Sequence, residues 1–297
     1  MTDPEAQKVL VTGAAGMLGS QVLLAVPDGV ELVGTDLVDA HGVDVVGVDL
    51  TSEEAVAALF EEHGPFQGVI HAAAYTAVDK AEEEEDLASR VNGDACRVLA
   101  GAARAQGAAL VIVSTDFVFD GTGDRPYLET DPVSPVSAYG RTKLQGERDA
   151  IDAYPEGTRI VRTQWLYGPR GKHFPATMLS LARERDELKV VSDQRGAPTS
   201  TLELAPALWD VLAGAPAGIY HAACEGECSW FDLAVATLEY SGVEGVTVHP
   251  CTTDEFPRPA RRPAYSVLDC GKLGALRGRP LAHWQDALKT YLGNADA

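Results

Sequence analysis

One stretch of this chain holds three side chains of the types and spacing needed to move a proton. Tyr139 and Lys143 stand four residues apart in Tyr139-Gly140-Arg141-Thr142-Lys143, which puts a phenol and an amine on one face of a helix. An unperturbed phenol titrates near ~10. A neighbouring ammonium favours the phenolate, so the pair predicts a phenol brought down far enough to act as a general acid at neutral pH. Thr115 offers a hydroxyl to the same oxygen or to the substrate's. The set suits protonation of an oxygen while a hydride arrives from elsewhere. To position it, the apolar run Leu110-Val111-Ile112-Val113 reads as a buried strand that delivers Ser114 and Thr115 at its carboxyl end. A loop containing Gly and Pro then leads into the tyrosine helix.

The start of the chain supplies a place for a hydride donor. Lys8 to Thr12 is a short β-rich run, followed by Gly13-Ala14-Ala15-Gly16-Met17-Leu18-Gly19 and an apolar helical pattern from Leu18 to Val26. Glycines at this spacing make a tight strand-to-helix turn whose backbone N–H groups and helix N-terminus face a pyrophosphate. A second strand, Val30 to Thr35, ends at Asp36, where dinucleotide folds place the acid that binds the adenosine ribose. No Arg or Lys stands beside Asp36 to meet a 2′-phosphate, so NAD(H) is favoured and NADP(H) stays open. Val45 to Val48 reads as a third strand. Asp49 and Leu50 close it, placed for the adenine amino group and ring face, and Thr51 or Ser52 caps the helix from Glu53. A fourth strand, Gly68 to Ala74, ends in small residues that let a cofactor lie against backbone. His71 on it reads as a packed strand residue. Asn92, at the end of a helix led by the acidic run Glu82 to Asp86, reads as a bridge from helix to sheet.

Strands alternating with helices predict an α/β fold with a doubly wound parallel sheet of Rossmann type and a ligand at the strands' carboxyl ends. Thr158 to Arg162 is a sixth strand, and beyond Trp165 and Tyr167 the alternation breaks. A helix from Leu202 to Leu212 and a strand from Gly218 to His221 return to the first unit. The division expected is a dinucleotide-binding domain of 7–168 and 200–224, with a smaller mixed α/β substrate-binding domain of 169–199 and 225–297. Late in the chain, Pro257-Arg258-Pro259-Ala260-Arg261-Arg262-Pro263 is either a local phosphate or carboxylate reader or a Pro-stiffened surface loop.

The 297 residues carry 24 Lys and Arg against 44 Asp and Glu, a net charge of −20, which argues against binding nucleic acid or an anionic membrane. The polar start, Met1 to Lys8, shows no secretory signal, and no apolar run approaches the ~20 residues of a membrane span. The five cysteines include no C-x-x-C pair, which suits reduced thiols in a cytoplasm. His221, Cys224 and Cys228 lie close in sequence but match no closed zinc pattern, so no metal is expected.

The glycine turn joined to Tyr139-x-x-x-Lys143 resembles the extended short-chain dehydrogenase/reductases. Longer strings narrow the resemblance to the dTDP-4-dehydrorhamnose reductase family: Ala72 to Glu82, Ser114 to Gly121, Arg162 to Gly168, Asp193 to Thr199 and Pro259 to Pro263. It runs from about Lys8 to Trp284. The resemblance implies Tyr139 as proton donor, Lys143 as the residue that holds the nicotinamide ribose and tunes that tyrosine, and Thr115 as their hydroxyl partner. It implies a cofactor lined by Gly13, Gly16, Met17, Leu18, Gly19, Asp36, Asp49, Leu50, Ala73, Ala74 and Tyr75, together with Tyr139 and Lys143. Thr115, Asp116 and Trp165 would contact a nucleotide-sugar. Two departures stand out: Phe117 where the family often has Tyr, and His71 where it often has Asn.

The activity so implied is reduction of the C4 ketone of a nucleotide-linked 4-keto-6-deoxy sugar, most closely dTDP-4-dehydrorhamnose to dTDP-L-rhamnose. Related dehydratases place a second carboxylate directly after the acid at Asp116, and Phe117 removes it. A nucleotide-sugar epimerase and a non-catalytic regulatory subunit of the methionine adenosyltransferase type are the alternatives. The resemblance leaves a homodimer open.

Overall fold

The structure, a computed structural model, describes residues 7–295. The polar N-terminal reading of Met1 to Lys8 and the last two residues of the expected substrate domain therefore fall wholly or partly outside the described residues. Seven strands form one parallel sheet: β1 (Gln7–Thr12), β2 (Val30–Asp36), β3 (Val45–Val46), β4 (Gly68–His71), β5 (Ala109–Thr115), β6 (Thr158–Thr163) and β7 (Gly218–His221). Their order across the sheet is β7-β6-β5-β4-β1-β2-β3. The sequence reverses direction between β1 and β4, the switch point at which such sheets open a crevice. The strands are apolar runs because both faces are covered by helices. One face packs Val9, Val11, Ile70 and Val111 against the helix Thr201–Gly214, and the other packs Leu10, Val69, Leu110 and Ile112 against α2 (Glu53–His63) and α3 (Ala95–Gln106).

Two strands are shorter than the sequence suggests. β3 stops at Val46 because Gly47 turns with φ +81° and gives its N–H to Asp36 O. β4 stops at His71, after which Asn92 captures the chain. Its Oδ1 accepts from Tyr75 N at 2.9 Å, and its Nδ2 donates to Tyr75 O at 3.2 Å and to Thr142 Oγ1 at 3.1 Å. Asn92 thus ties the helix carrying it to the loop after β4 and to α4 (Ala138–Ala153), and it sits in a single π-turn, Arg90–Asp94. Beyond the sheet, Glu187–Val191 pairs in parallel with Thr247–Cys251. These strands and the helices Phe174–Ala182 and Trp230–Tyr240 share a small core of Met178, Leu188, Val190, Ala234 and Leu238. No helix among the described residues is long and apolar enough to cross a membrane.

Candidate active site

The switch point opens into a cavity of about 660 Å³. At one end is the turn between β1 and α1 (Met17–Leu24). Gly13 adopts φ +69°, and a Cβ on it would come within 2.6 Å of Ala73 N; one on Gly19 would lie 2.0 Å from Gly13 O. Only glycine lets the turn lie this close to the loop after β4 and to its own helix. Gly16 caps α1 with no side chain, so the helix N-terminus opens toward the cavity as a cradle for a diphosphate. Asp36 sits beside it, with Oδ2 accepting from Ala15 N at 3.0 Å. Asp49 holds Thr51 through both N–H and hydroxyl at 2.9 and 2.7 Å, and these bonds keep its carboxyl below the usual range. Ser52 is the residue that caps α2, accepting from Ala55 N at 3.2 Å. A glycine-lined turn, a helix N-terminus and an acid after β2 together fit a dinucleotide.

The other end of the cavity gathers the proton-transfer residues. Ser137 caps α4 by accepting from Gly140 N at 3.2 Å. A Cβ on Gly140 would lie 2.2 Å from Phe117 O, so glycine lets α4 press onto the turn after β5. This brings Tyr139 to Thr115. Thr115 Oγ1 donates to Asp116 Oδ1 at 3.0 Å and accepts from Phe117 N at 3.2 Å. The Tyr139 ring meets Phe117 edge to face at 5.5 Å. Lys143 is buried, and its Nζ donates to Val113 O at 2.8 Å. Beneath them, Ser114 Oγ donates to Glu147 Oε1 at 2.5 Å, and Arg162 Nη2 donates to Glu147 Oε2 at 2.7 Å, bolting α4 to β5 and β6.

The phenol is not lowered in this state, contrary to the expectation drawn from the Tyr–Lys spacing. Burial pushes Tyr139 up to about 12, the Thr115 hydroxyl pulls the other way, and the Asp116 charge adds to the rise. The Lys143 ammonium is committed to Val113 O, and burial lowers its own pKa. Burial likewise pushes Asp116 up to about 6, with Ser266 and Thr115 holding it down. His71 is neutral at working pH: burial, then the Lys143 charge, push it down to about 3, and its Nδ1 pairs with Thr12 Oγ1 at 2.6 Å.

Of the residues singled out in the sequence, Gly13, Gly16, Met17, Leu18, Gly19, Asp36, Asp49, Leu50, Ala73 and Ala74 line the cavity, and so do Thr115, Asp116, Tyr139, Lys143 and Trp165. Tyr75 does not line it; its hydroxyl turns to Glu84 Oε2 at 2.7 Å. The structure adds Thr163, Gln164 and Lys172 to the wall; the first two lie in the family-like string Arg162 to Gly168, where only Trp165 was singled out. Trp165 has φ +48° and stacks on Trp230 with ring centroids 3.6 Å apart. Behind that pair is a second cavity of about 650 Å³, bordered by Arg185, Arg258, Arg261 and Arg262. Arg262 is already paired with Asp79 at 2.9 and 3.0 Å, and Arg258 lies over the Phe256 ring with Nη1 3.9 Å from the same carboxylate. The proline-rich stretch is therefore both a braced loop and a cationic wall. His221 of the set considered for a metal bonds Tyr127 O through Nδ1 at 3.0 Å.

The family model described as the RmlD substrate binding domain matches residues 7–296. A dTDP-4-dehydrorhamnose reductase of Streptomyces griseus is 44% identical over 289 residues, covering 94% of this chain and 91% of that protein. The chain belongs to the dTDP-4-dehydrorhamnose reductase family. Among solved structures, one titled as the Clostridium acetobutylicum dTDP-4-dehydrorhamnose reductase superposes with a TM-score of 0.91 at 43% identity, covering 98% of this chain and 100% of that one. A Bacillus anthracis dTDP-4-dehydrorhamnose reductase in complex with NADP superposes with a TM-score of 0.90 at 34% identity, covering 97% of this chain and 99% of that one.

Proposed function

We propose that this chain reduces the C4 ketone of a nucleotide-linked 4-keto-6-deoxy sugar, most closely dTDP-4-dehydrorhamnose to dTDP-L-rhamnose. The observation that carries this reading is the meeting of Tyr139, Thr115 and Lys143 at one end of a cavity whose other end is the Gly13–Gly19 turn. A reduced nicotinamide dinucleotide bound there supplies the hydride. Tyr139, kept fully protonated by its burial, donates its proton to the oxygen that becomes an alkoxide. Thr115 holds that oxygen or the phenol in line, and Lys143 would hold the nicotinamide ribose. The substrate sugar lies between Tyr139, Asp116 and Trp165, and segments 169–199 and 225–297 form the substrate-binding part. The nucleotide diphosphate is received by the arginines of the second cavity, which offer a local positive charge in a protein of net charge −20.

Asp36 supports NAD(H) as the preferred cofactor, because an acid after β2 pairs with ribose hydroxyls and repels a 2′-phosphate. The NADP complex of the Bacillus anthracis relative keeps NADP(H) as the second reading. Titration of both reduced cofactors separates the two: NADH binding at least 10-fold tighter upholds the Asp36 argument, and the reverse order overturns it. The free cysteines support a cytoplasmic setting, and a homodimer is the assembly to test by sedimentation. The activity itself is tested by NADH oxidation with the purified 4-keto-6-deoxy sugar nucleotide.

A further inference from the structure

Four buried side-chain atoms in the wall of the central cavity lack a hydrogen-bond partner among the described residues: His71 Nε2, Asp116 Oδ2, Thr163 Oγ1 and Gln164 Nε2. The last three lie together at the carboxyl ends of β5 and β6. His71 stands apart at the end of β4 and is only 1% exposed. It is in register with Thr12 on one side and Ile112 on the other. In-register neighbours project to the same face of a sheet, so the ring shares its face with Leu10, Val69 and Ile112, against which α3 and Ala150 of α4 pack. Lys143 comes down from α4 onto that face, and its Nζ donates to Val113 O, one residue beyond Ile112, at 2.8 Å.

Each buried group answers what the other lacks. An ammonium has three N–H donors, and the bond to Val113 O is the one Lys143 makes among the described residues. A neutral imidazole has one protonated and one bare nitrogen. Nδ1 of His71 meets Thr12 Oγ1 at 2.6 Å and could donate to that hydroxyl or accept from it. Lys143 is close enough for its charge to act on the ring, and a positive charge favours the tautomer that turns a lone pair toward it. Nδ1 then donates to Thr12, and Nε2 is the acceptor. A buried acceptor and a buried charge both cost stability until they are hydrogen-bonded. We propose that His71 is a positioning residue for Lys143: its bare Nε2 accepts, through one bridging water, from a remaining N–H of the ammonium and so fixes it between Val113 and the cofactor's ribose. The proposal rests on the reading of Lys143 as the residue that holds the nicotinamide ribose. The Asn that the family often has at this position can serve Thr12 but falls short of Lys143, so the contact belongs to this chain's histidine.

The shape of the ring provides the test. An asparagine amide overlays Nδ1 and a glutamine amide overlays Nε2. His71→Asn therefore keeps a partner for Thr12 and removes the group facing Lys143, and His71→Gln does the reverse. In protein labelled with 15N-histidine, the His71 ring, assigned through its contact with Thr12, should show a protonated Nδ1 and a bare Nε2. His71→Asn should weaken NADH binding and lower kcat by about 5-fold each, the worth of one hydrogen bond, at an unchanged melting temperature. His71→Gln should restore most of both losses. A proton on Nε2 in the wild type overturns the proposal, whether or not the variants fold. Wild-type NADH affinity in His71→Asn, or an equal loss in the two variants, also overturns it and leaves His71 as a partner of Thr12 alone. NADH binding without turnover of any 4-keto sugar nucleotide by the wild type would instead overturn the reading of the site as a ketone reductase, and the ring shifts and NADH affinities would still decide the role of His71.

Discussion

Replacing Glu147 with alanine exposes how the proton-transfer helix is held. The Glu147 carboxylate accepts from Arg162 Nε at 2.9 and 3.2 Å, from Arg162 Nη2 at 2.7 Å and from Ser114 Oγ at 2.5 Å. The side chains of Arg162 and Glu147 are only 3% and 2% exposed, so the alanine variant leaves a guanidinium buried with no counter-charge. Breaking such a pair from one side costs about 3–5 kcal/mol. Against a typical total of about 5–15 kcal/mol, the variant should fold but denature at a lower urea midpoint with an unchanged slope. The melting temperature should fall by roughly 6–15 °C. Replacing both partners, Glu147→Leu with Arg162→Met, removes the stranded charge and should recover most of that loss. Because the bonds tie α4 to the strand ends that carry Ser114 and Arg162, kcat should fall in the single variant more than cofactor affinity. A loss below about 1 kcal/mol in Glu147→Ala would refute the bolt.

Other outcomes follow from the same geometry. Tyr139→Phe should keep cofactor binding and lose turnover by on the order of 100-fold or more, measured by titration and steady-state rates; retained turnover would remove the phenol from the chemistry. Asp116→Asn should stabilise the protein in a pH-dependent way. The wild-type carboxyl, raised to about 6 from 3.8, contributes stability below pH 3.8 and loses it as pH rises through 6. Asparagine has no such loss, so the variant's gain should be near zero at pH 4 and about 3 kcal/mol by pH 7, read from urea midpoints. A gain that does not change with pH would contradict the buried, uncompensated carboxylate.

The parts of this molecule that were legible in its sequence are those encoded locally. The strand at Leu110, the glycine turn at Gly13 and the four-residue step from Tyr139 to Lys143 each need only neighbouring residues to be read, and the alternation of strands with helices gave the sheet. Family likeness placed Thr115 and Trp165. What local pattern cannot show is where a side chain spends its hydrogen bonds once distant segments close around it. Arg262 meets Asp79 across 183 positions of chain, Ser266 reaches Gln164 across 102, and Tyr75 is held by Asn92. The same limit misplaced the ammonium: Lys143 does share a helix face with Tyr139, but the backbone carbonyl of Val113 takes its Nζ. The Trp165–Trp230 stack, with Trp165 in a left-handed conformation, likewise exists only in three dimensions.

The central claim is that Tyr139, Thr115 and Lys143 reduce a sugar ketone beside a bound nicotinamide. Its most direct test is the absorbance of NADH and, in parallel, of NADPH, followed with dTDP-4-dehydrorhamnose and purified protein. The account predicts steady oxidation of a reduced cofactor with stoichiometric formation of the dTDP-linked 6-deoxyhexose, abolished in Tyr139→Phe. Tight cofactor binding without turnover of this or any related 4-keto sugar nucleotide would contradict it.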